Sequence, residues 1–302
     1  MAGKDIGIIG LGKMGKNIAL QMLEKGYLVT AYNRSPGPLE EVASKGAGKA
    51  GSLKELAGKL KAPRTIWVML TSGEVTVDMI MELSKHCGKG DTIIDGSNSF
   101  YKESVRLHDA LAKKGIDYLD AGCSGGPSGA LHGMCIMVGG EKETFDRNEK
   151  LFKDLSVKNG TFYAGKSGAG HFTKMVHNAI EYGMMQSISE GLDLIENSDY
   201  VDVDKAKLCG LWNNGSVIRS YLVELAARAL EKDAHLSSIA PYVEDNGEGR
   251  WAVKEAIDHS VPFSIITDSL YERFESRSQK KFGKRMLAAL RYEFGGHGIK
   301  KE

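Results

Sequence analysis

Short apolar runs alternate with amphipathic stretches through the first half of the chain. DIGII at 5–9 reads as a strand, 17–25 as a helix and YLVTAY at 27–32 as a second strand. The same alternation continues with a helix over 53–60, the strand TIWVML at 65–70 and a helix over 74–86. It closes with the strand DTIID at 91–95, a helix over 102–114, and the strands IDYLD at 116–120 and CIMV at 135–138. Alternating β and α predicts a mostly parallel sheet covered by helices on both faces. Past Gly165 the strand-like runs stop. Helical periodicity takes over at 169–196, 204–212, 217–232, 251–259, 263–279 and 281–294. The predicted architecture is therefore an α/β Rossmann-type N-terminal domain, 1–165, followed by an all-α C-terminal domain, 166–302.

The first strand runs directly into Gly10-Leu11-Gly12-Lys13-Met14-Gly15. Between a strand and a helix, with a second strand on schedule, this G-x-G-x-x-G pattern indicates dinucleotide binding. The glycines allow a tight turn, close approach of a pyrophosphate and helix–strand packing, and the helix N-terminus offers amides to the phosphates. The second strand ends in Asn33-Arg34-Ser35, where NAD sites usually place an acid. Arg34 can pair with a 2′-phosphate and stack on adenine, and Asn33 and Ser35 can donate to it. NADP is thus the preferred cofactor, with NAD as the alternative. Small, polar, glycine-rich loops, 71–73, 96–99 and 121–130, follow the later strands, at the carboxyl ends where open α/β sheets bind ligands.

The long helix over 169–196 carries Lys174, His177, Asn178, Glu181 and Tyr182 at intervals that return to one face. An amine, an imidazole, an amide, a carboxyl and a phenol on one face suit an active-site wall better than a core.

Composition adds mostly exclusions. A formal charge of +1 gives no bulk field for nucleic acid or an anionic membrane. Cys87, Cys123, Cys135 and Cys209 show neither zinc-ligand spacing nor a disulfide framework. No apolar run approaches membrane-spanning length and no signal-peptide core precedes the first strand, so a cytoplasmic protein is expected.

The motifs GLGKMG, DGSNS, SGGPSGA, GAGHFTKMVHNAIEYG and RYEFGGH together resemble the decarboxylating 6-phosphogluconate dehydrogenases, in their short-chain form, within the wider β-hydroxyacid dehydrogenase family. The resemblance spans almost the whole chain. It implies oxidation of a sugar acid's C3 hydroxyl, loss of carbon dioxide from the β-keto acid, and protonation of the enediol to ribulose 5-phosphate. No metal is required, because the ketone is already the electron sink. Lys174 is implied as the base, which requires its amine to titrate well below its ordinary value of about 10.4. Glu181 is implied as the acid, with Asn178 and His177 orienting the substrate. The implied cofactor set is Gly10, Leu11, Gly12, Met14, Gly15, Asn33, Arg34, Ser35, Leu70 and Asn98. Asn98 also touches substrate, with Ser124, Gly125 and Gly126 at the sugar-acid end. Tyr182, Arg273, Arg291 and His297 are implied at the phosphate, the last two from a neighbouring subunit of a homodimer. One departure stands out: Asn246 and Glu248 replace a Lys and a Thr common in the family's glycine-rich loop, with Arg250 nearby as a substitute cation. Two rivals remain. One is a non-decarboxylating dehydrogenase of a small unphosphorylated β-hydroxy acid; the other is a cofactor-binding regulatory protein without turnover.

Overall fold

The computed structural model describes residues 5–279, 281–295 and 298–300. Two compact units divide between His177 and Asn178.

The first unit is built on one eight-stranded sheet, ordered β3-β2-β1-β4-β5-β6-β7-β8. The strands are β1 (Asp5–Ile9), β2 (Leu28–Tyr32), β3 (Gly48–Lys49), β4 (Thr65–Val68), β5 (Thr92–Asp95), β6 (Asp117–Ser124), β7 (Met134–Gly140) and β8 (Ser156–Gly165). All neighbours pair in parallel except β6 and β7, which run antiparallel. The order reverses between β1 and β4, so the loops leaving those strands diverge and open a crevice. Helices α1 (Lys13–Glu24), α2 (Pro36–Ala43), α6 (Gly126–His132) and α7 (Lys142–Leu155) contribute to one apolar layer, with Ile18, Met22, Val42, Ala130 and Phe152 buried in it. Helices α3 (Leu53–Lys59), α4 (Glu74–Leu83) and α5 (Tyr101–Ala112) contribute to the other, through Leu56, Ile80, Leu83, Leu107 and Leu111.

The predicted strands and helices are all present, with shifted ends. Five elements go beyond the sequence reading: α2, β3, α6, α7 and β8. Helix α7 was legible, because Phe145, Leu151, Phe152 and Leu155 recur at helical spacing and are buried. The stretch 121–130 is also not one loop. Its first four residues extend β6, because β7 supplies antiparallel partners from Leu119 to Ser124, and its second half is α6.

Helix α8 (Ala169–Glu196) begins in the first unit and continues as the first element of the second. The second unit adds α9 (Lys205–Trp212), α10 (Tyr221–Lys232), α11 (Glu248–Asp258), α12 (Ser264–Arg277) and α13 (Phe282–Gly295). Cys209, Val223, Ala227 and Leu230 form a small core where α9 meets α10. No residue of α13 is buried. Among the described residues no helix is long and apolar enough to cross a membrane.

Candidate active site

The glycine loop after β1 fits a pyrophosphate for steric reasons that differ along it. Gly10 sits at φ +90°, and a Cβ there would lie 2.2 Å from the Met69 carbonyl oxygen and 2.7 Å from Leu70. A Cβ on Gly15 would lie 1.9 Å from the Gly10 carbonyl oxygen. Both positions require glycine for the chain's own packing. Gly12 has nothing within 4 Å of a built Cβ, and it caps the N-terminus of α1. The open space thus lies where the first amides of a helix point, a cradle for phosphate oxygens. Leu70 is half-buried beside this turn, and its amide donates to the Ser97 hydroxyl at 3.1 Å.

Asn33 does different work from the direct phosphate contact expected of it. Its Oδ1 accepts from the Leu11 amide at 2.9 Å and its Nδ2 donates to the Ser35 carbonyl at 2.8 Å. The side chain thereby ties the glycine loop to the end of β2. Arg34 and Ser35 are exposed just past the end of β2.

At the end of β5, Asn98 adopts a left-handed conformation, φ 54°. Its amide is held at both ends by Cys123 on β6: Oδ1 accepts from the Cys123 amide at 2.9 Å, and Nδ2 donates to the carbonyl at 3.2 Å. Asp95 shapes the same loop, accepting from the Ser97 amide and the Ser99 hydroxyl, each at 2.9 Å. Such backbone strain persists only where surrounding bonds over-determine it.

Helix α8 is drawn onto the sheet by missing side chains. A Cβ on Gly122 would stand 2.4 Å from Lys174 Cβ; one on Gly170 would stand 2.3 Å from the Asp120 carbonyl oxygen. The Asp120 carboxylate, fully buried, accepts from the amides of Gly168 at 2.7 Å and His171 at 2.9 Å. It therefore caps the helix and complements its dipole. The result is a buried Lys174, 5% exposed, on the first turns of α8. Its Nζ lies 3.4 Å from His177 Nδ1, and His177 Nε2 lies 3.2 Å from the Ser124 hydroxyl. Burial pushes the Cys123 thiol up to about 12. Gly125 and Gly126, both at positive φ, follow Ser124 on an exposed turn. This unit thus brings Lys174, His177, Ser124 and Asn98 together around β6. Sequence reasoning assigns no site role to Gly122, Gly170, Asp95 or Asp120. The two acids each close an apolar run (DTIID, IDYLD), and a buried strand ending in an acid was the available signal.

In the second unit, Asn178, Tyr182, Asn246 and Glu248 form one hydrogen-bonded network. Glu248, 5% exposed, accepts through Oε2 from Asn178 Nδ2 and from Asn246 Nδ2, the latter at 2.6 Å. The Tyr182 hydroxyl donates to Asn246 Oδ1 at 2.9 Å and accepts from the Asn246 amide at 3.2 Å. The Arg273 guanidinium stacks 3.7 Å above the Tyr182 ring and donates to the Glu244 carbonyl at 2.8 Å. Arg250 is not a ready substitute cation: it pairs through two nitrogens with Asp245, at 2.8 and 3.0 Å, and Arg277 joins the same carboxylate. The Arg250 hydrogen bond, backed by Arg277, holds Asp245 well below the ordinary carboxylate range. Glu181 is half-buried on α8, two turns beyond Lys174. Arg291 is exposed on α13, a helix with no buried residue. His297 lies outside the described residues. Among the described residues no cluster of three or more His, Cys, Asp or Glu could hold a metal.

Residues 5–165 match the family model described as the NAD binding domain of 6-phosphogluconate dehydrogenase, and 170–298 match the 6-phosphogluconate dehydrogenase C-terminal domain. YqeC of Bacillus subtilis, provisionally named a 6-phosphogluconate dehydrogenase, is 45% identical over 98% of this chain and 99% of its own length. The NAD(+)-dependent, decarboxylating 6-phosphogluconate dehydrogenase of Haloferax volcanii is 37% identical, covering 98% of each chain. The NADP(+)-dependent Bacillus subtilis enzyme is also 37% identical, but this chain spans only 63% of it. The solved Plasmodium falciparum 6-phosphogluconate dehydrogenase, described with NADP+ and with 6-phosphogluconate, superposes with a TM-score of 0.82 at 31% identity, covering 99% of this chain and 66% of that one. A Mycobacterium tuberculosis 3-hydroxyisobutyrate dehydrogenase, at 19% identity and TM-score 0.72, shares the fold.

Proposed function

The chain belongs to the 6-phosphogluconate dehydrogenase family, and from that premise we propose that it converts 6-phosphogluconate to ribulose 5-phosphate and carbon dioxide. The hydride goes to NADP in preference to NAD. The observation that carries the reading is the buried Lys174, held beside His177 on α8 behind a glycine that leaves it room.

When bound, the nicotinamide supplies the hydride acceptor. Lys174 Nζ takes the proton of the C3 hydroxyl as the C3 hydride leaves. The resulting ammonium then donates to the ketone oxygen and draws electron density toward it as the carboxylate departs as carbon dioxide. Glu181 returns a proton to the enediol carbon. His177, steadied by the Ser124 hydroxyl, and Asn178 orient the hydroxyl and carboxylate, and Asn98 faces both cofactor and substrate. Ser124, Gly125 and Gly126 take the sugar-acid end, and Tyr182 and Arg273 take the phosphate. Arg34 supports the NADP preference, since a guanidinium pairs with a 2′-phosphate that a carboxylate would repel. Residues 1–165 serve the dinucleotide and 166–302 the substrate and dimer contacts. The apolar residues left exposed on α13, among them Leu287, Leu290 and Phe294, support a homodimer in which Arg291 and His297 complete the partner's site. A cytoplasmic role in gluconate use and pentose phosphate formation follows from this chemistry.

The test is reduced-cofactor formation from 6-phosphogluconate with NADP and with NAD, while carbon dioxide is trapped. Stoichiometric carbon dioxide with NADP preferred supports both parts. Carbon dioxide with NAD preferred keeps the reaction and removes the role of Arg34. One observation favours a second reading: Glu248 puts a buried carboxylate in the loop where the family resemblance implies a phosphate ligand. Absence of turnover with either cofactor would favour an unphosphorylated β-hydroxy acid.

A further inference from the structure

His171 precedes Lys174 by three residues on α8 and takes no part in the chemistry above, yet it is 1% exposed. Its Nδ1 lies 2.7 Å from the Ser104 hydroxyl on α5. The Tyr118 hydroxyl on β6, beside Ser104, donates to Asp95 Oδ2 at 3.0 Å. All four side chains are buried. Asp95 is the carboxylate that also holds Ser97 and Ser99, on either side of the strained Asn98.

Asp95 receives three donors, from Ser97, Ser99 and Tyr118, and so serves as an acceptor throughout. His171 meets Ser104 through Nδ1, while its Nε2 is buried with no hydrogen-bond partner among the described residues. A buried polar atom left unpaired is destabilising, so the place of this imidazole is explained by the bond its other nitrogen makes.

We propose that His171 is a positioning residue: the buried relay from His171 to Ser104, with the Tyr118–Asp95 pair packed beside it, locks the first turn of the Lys174 helix to the loop that presents Asn98. The backbone supports the same coupling, since the His171 amide is held by Asp120 on β6, the strand whose Cys123 pins the Asn98 amide. Base and cofactor-facing amide are thus set in one register through β6, which holds both. This role rests on the functional assignments of Lys174 and Asn98 given above.

Two substitutions separate positioning from mere filling. Leucine fills the imidazole's volume without a donor. Asparagine places an amide nitrogen close to the Nδ1 position and removes the orphan Nε2. His171→Leu should lower kcat on 6-phosphogluconate at least tenfold, with both KM values within threefold of wild type, and His171→Asn should recover kcat to within threefold. Hydrogen exchange by mass spectrometry, which needs no substrate, should show peptides covering 96–100 and 121–124 exchanging at least tenfold faster in the leucine variant and at the wild-type rate in the asparagine variant. Ser104→Ala cuts the same link with a smaller change and carries the same expectations, so it decides the matter if the leucine variant does not fold. Unchanged exchange in both segments would overturn the relay, as would an asparagine variant no better than leucine in exchange. A wild-type enzyme inactive on 6-phosphogluconate would instead remove the reaction, and the exchange measurement would still decide the relay.

Discussion

Replacing Gly122 by alanine tests whether the placement of Lys174 depends on the close seat of α8 on the sheet. The new Cβ would meet Lys174 Cβ at 2.4 Å and the Gly170 carbonyl oxygen at 2.7 Å. Ordinary contact begins near 3.4 Å, so the helix must retreat by about 1 Å. Rotamer changes cannot absorb this, because a Cβ moves only with its backbone. Overpacking of this kind costs about 1–3 kcal/mol, which for a unit of this size lowers Tm by roughly 2–4 °C per kcal/mol. The rate should suffer more than the fold, since a misplacement of about 1 Å costs on the order of 10²-fold. Gly12→Ala is the contrasting variant. Nothing in the protein lies within 4 Å of its Cβ, so Tm should hold while cofactor affinity falls, the methyl group occupying the pyrophosphate's space. The assay is kcat on 6-phosphogluconate with Tm and cofactor fluorescence titration on the same samples. A Gly122→Ala enzyme within threefold of wild-type kcat and at its Tm would refute the reasoning.

Lys174→Met should abolish turnover while cofactor titration stays within about threefold; substantial residual activity would remove Lys174 from the mechanism. Asp245 has its carboxyl lowered in the folded state by Arg250 and Arg277, so it stabilises the helical unit above the unfolded carboxylate pKa of about 3.9, and that contribution is lost as pH falls through the lower folded value. Asp245→Asn should therefore lower the denaturation midpoint at neutral pH, with the gap from wild type narrowing only below about pH 4; a gap that stays constant into strong acid would count against the pairing. Iodoacetamide should label exposed Cys135 in the native protein, leaving buried Cys209 and Cys123, whose thiol burial pushes up to about 12, unmodified until denaturation; early labelling of Cys123 by peptide mapping would contradict its burial.

Local order was legible in the chain itself. The run DIGII followed by GLGKMG required a strand, a tight turn and a helix, because alternation of apolar runs and the steric freedom of glycine act over a few residues. The helix over 169–196 was likewise written in its periodicity, and its polar face named Lys174, His177, Asn178, Glu181 and Tyr182. Long-range consequences were not legible. That Asn33 braces the Leu11 amide, that Arg277 joins Arg250 on Asp245, and that residues 121–124 extend a strand all depend on partners outside the local window. Nothing in a window around Gly122 or Gly170 distinguishes them from loop glycines. Their importance comes from backbone and side-chain atoms of other elements that occupy the space a Cβ would need. Sequence alone determined which chemical groups this protein carries and which local elements hold them. Tertiary structure decided which groups are buried, which partners use up their hydrogen bonds and which cations remain available, because desolvation and pairing are properties of packed neighbours and not of residue type.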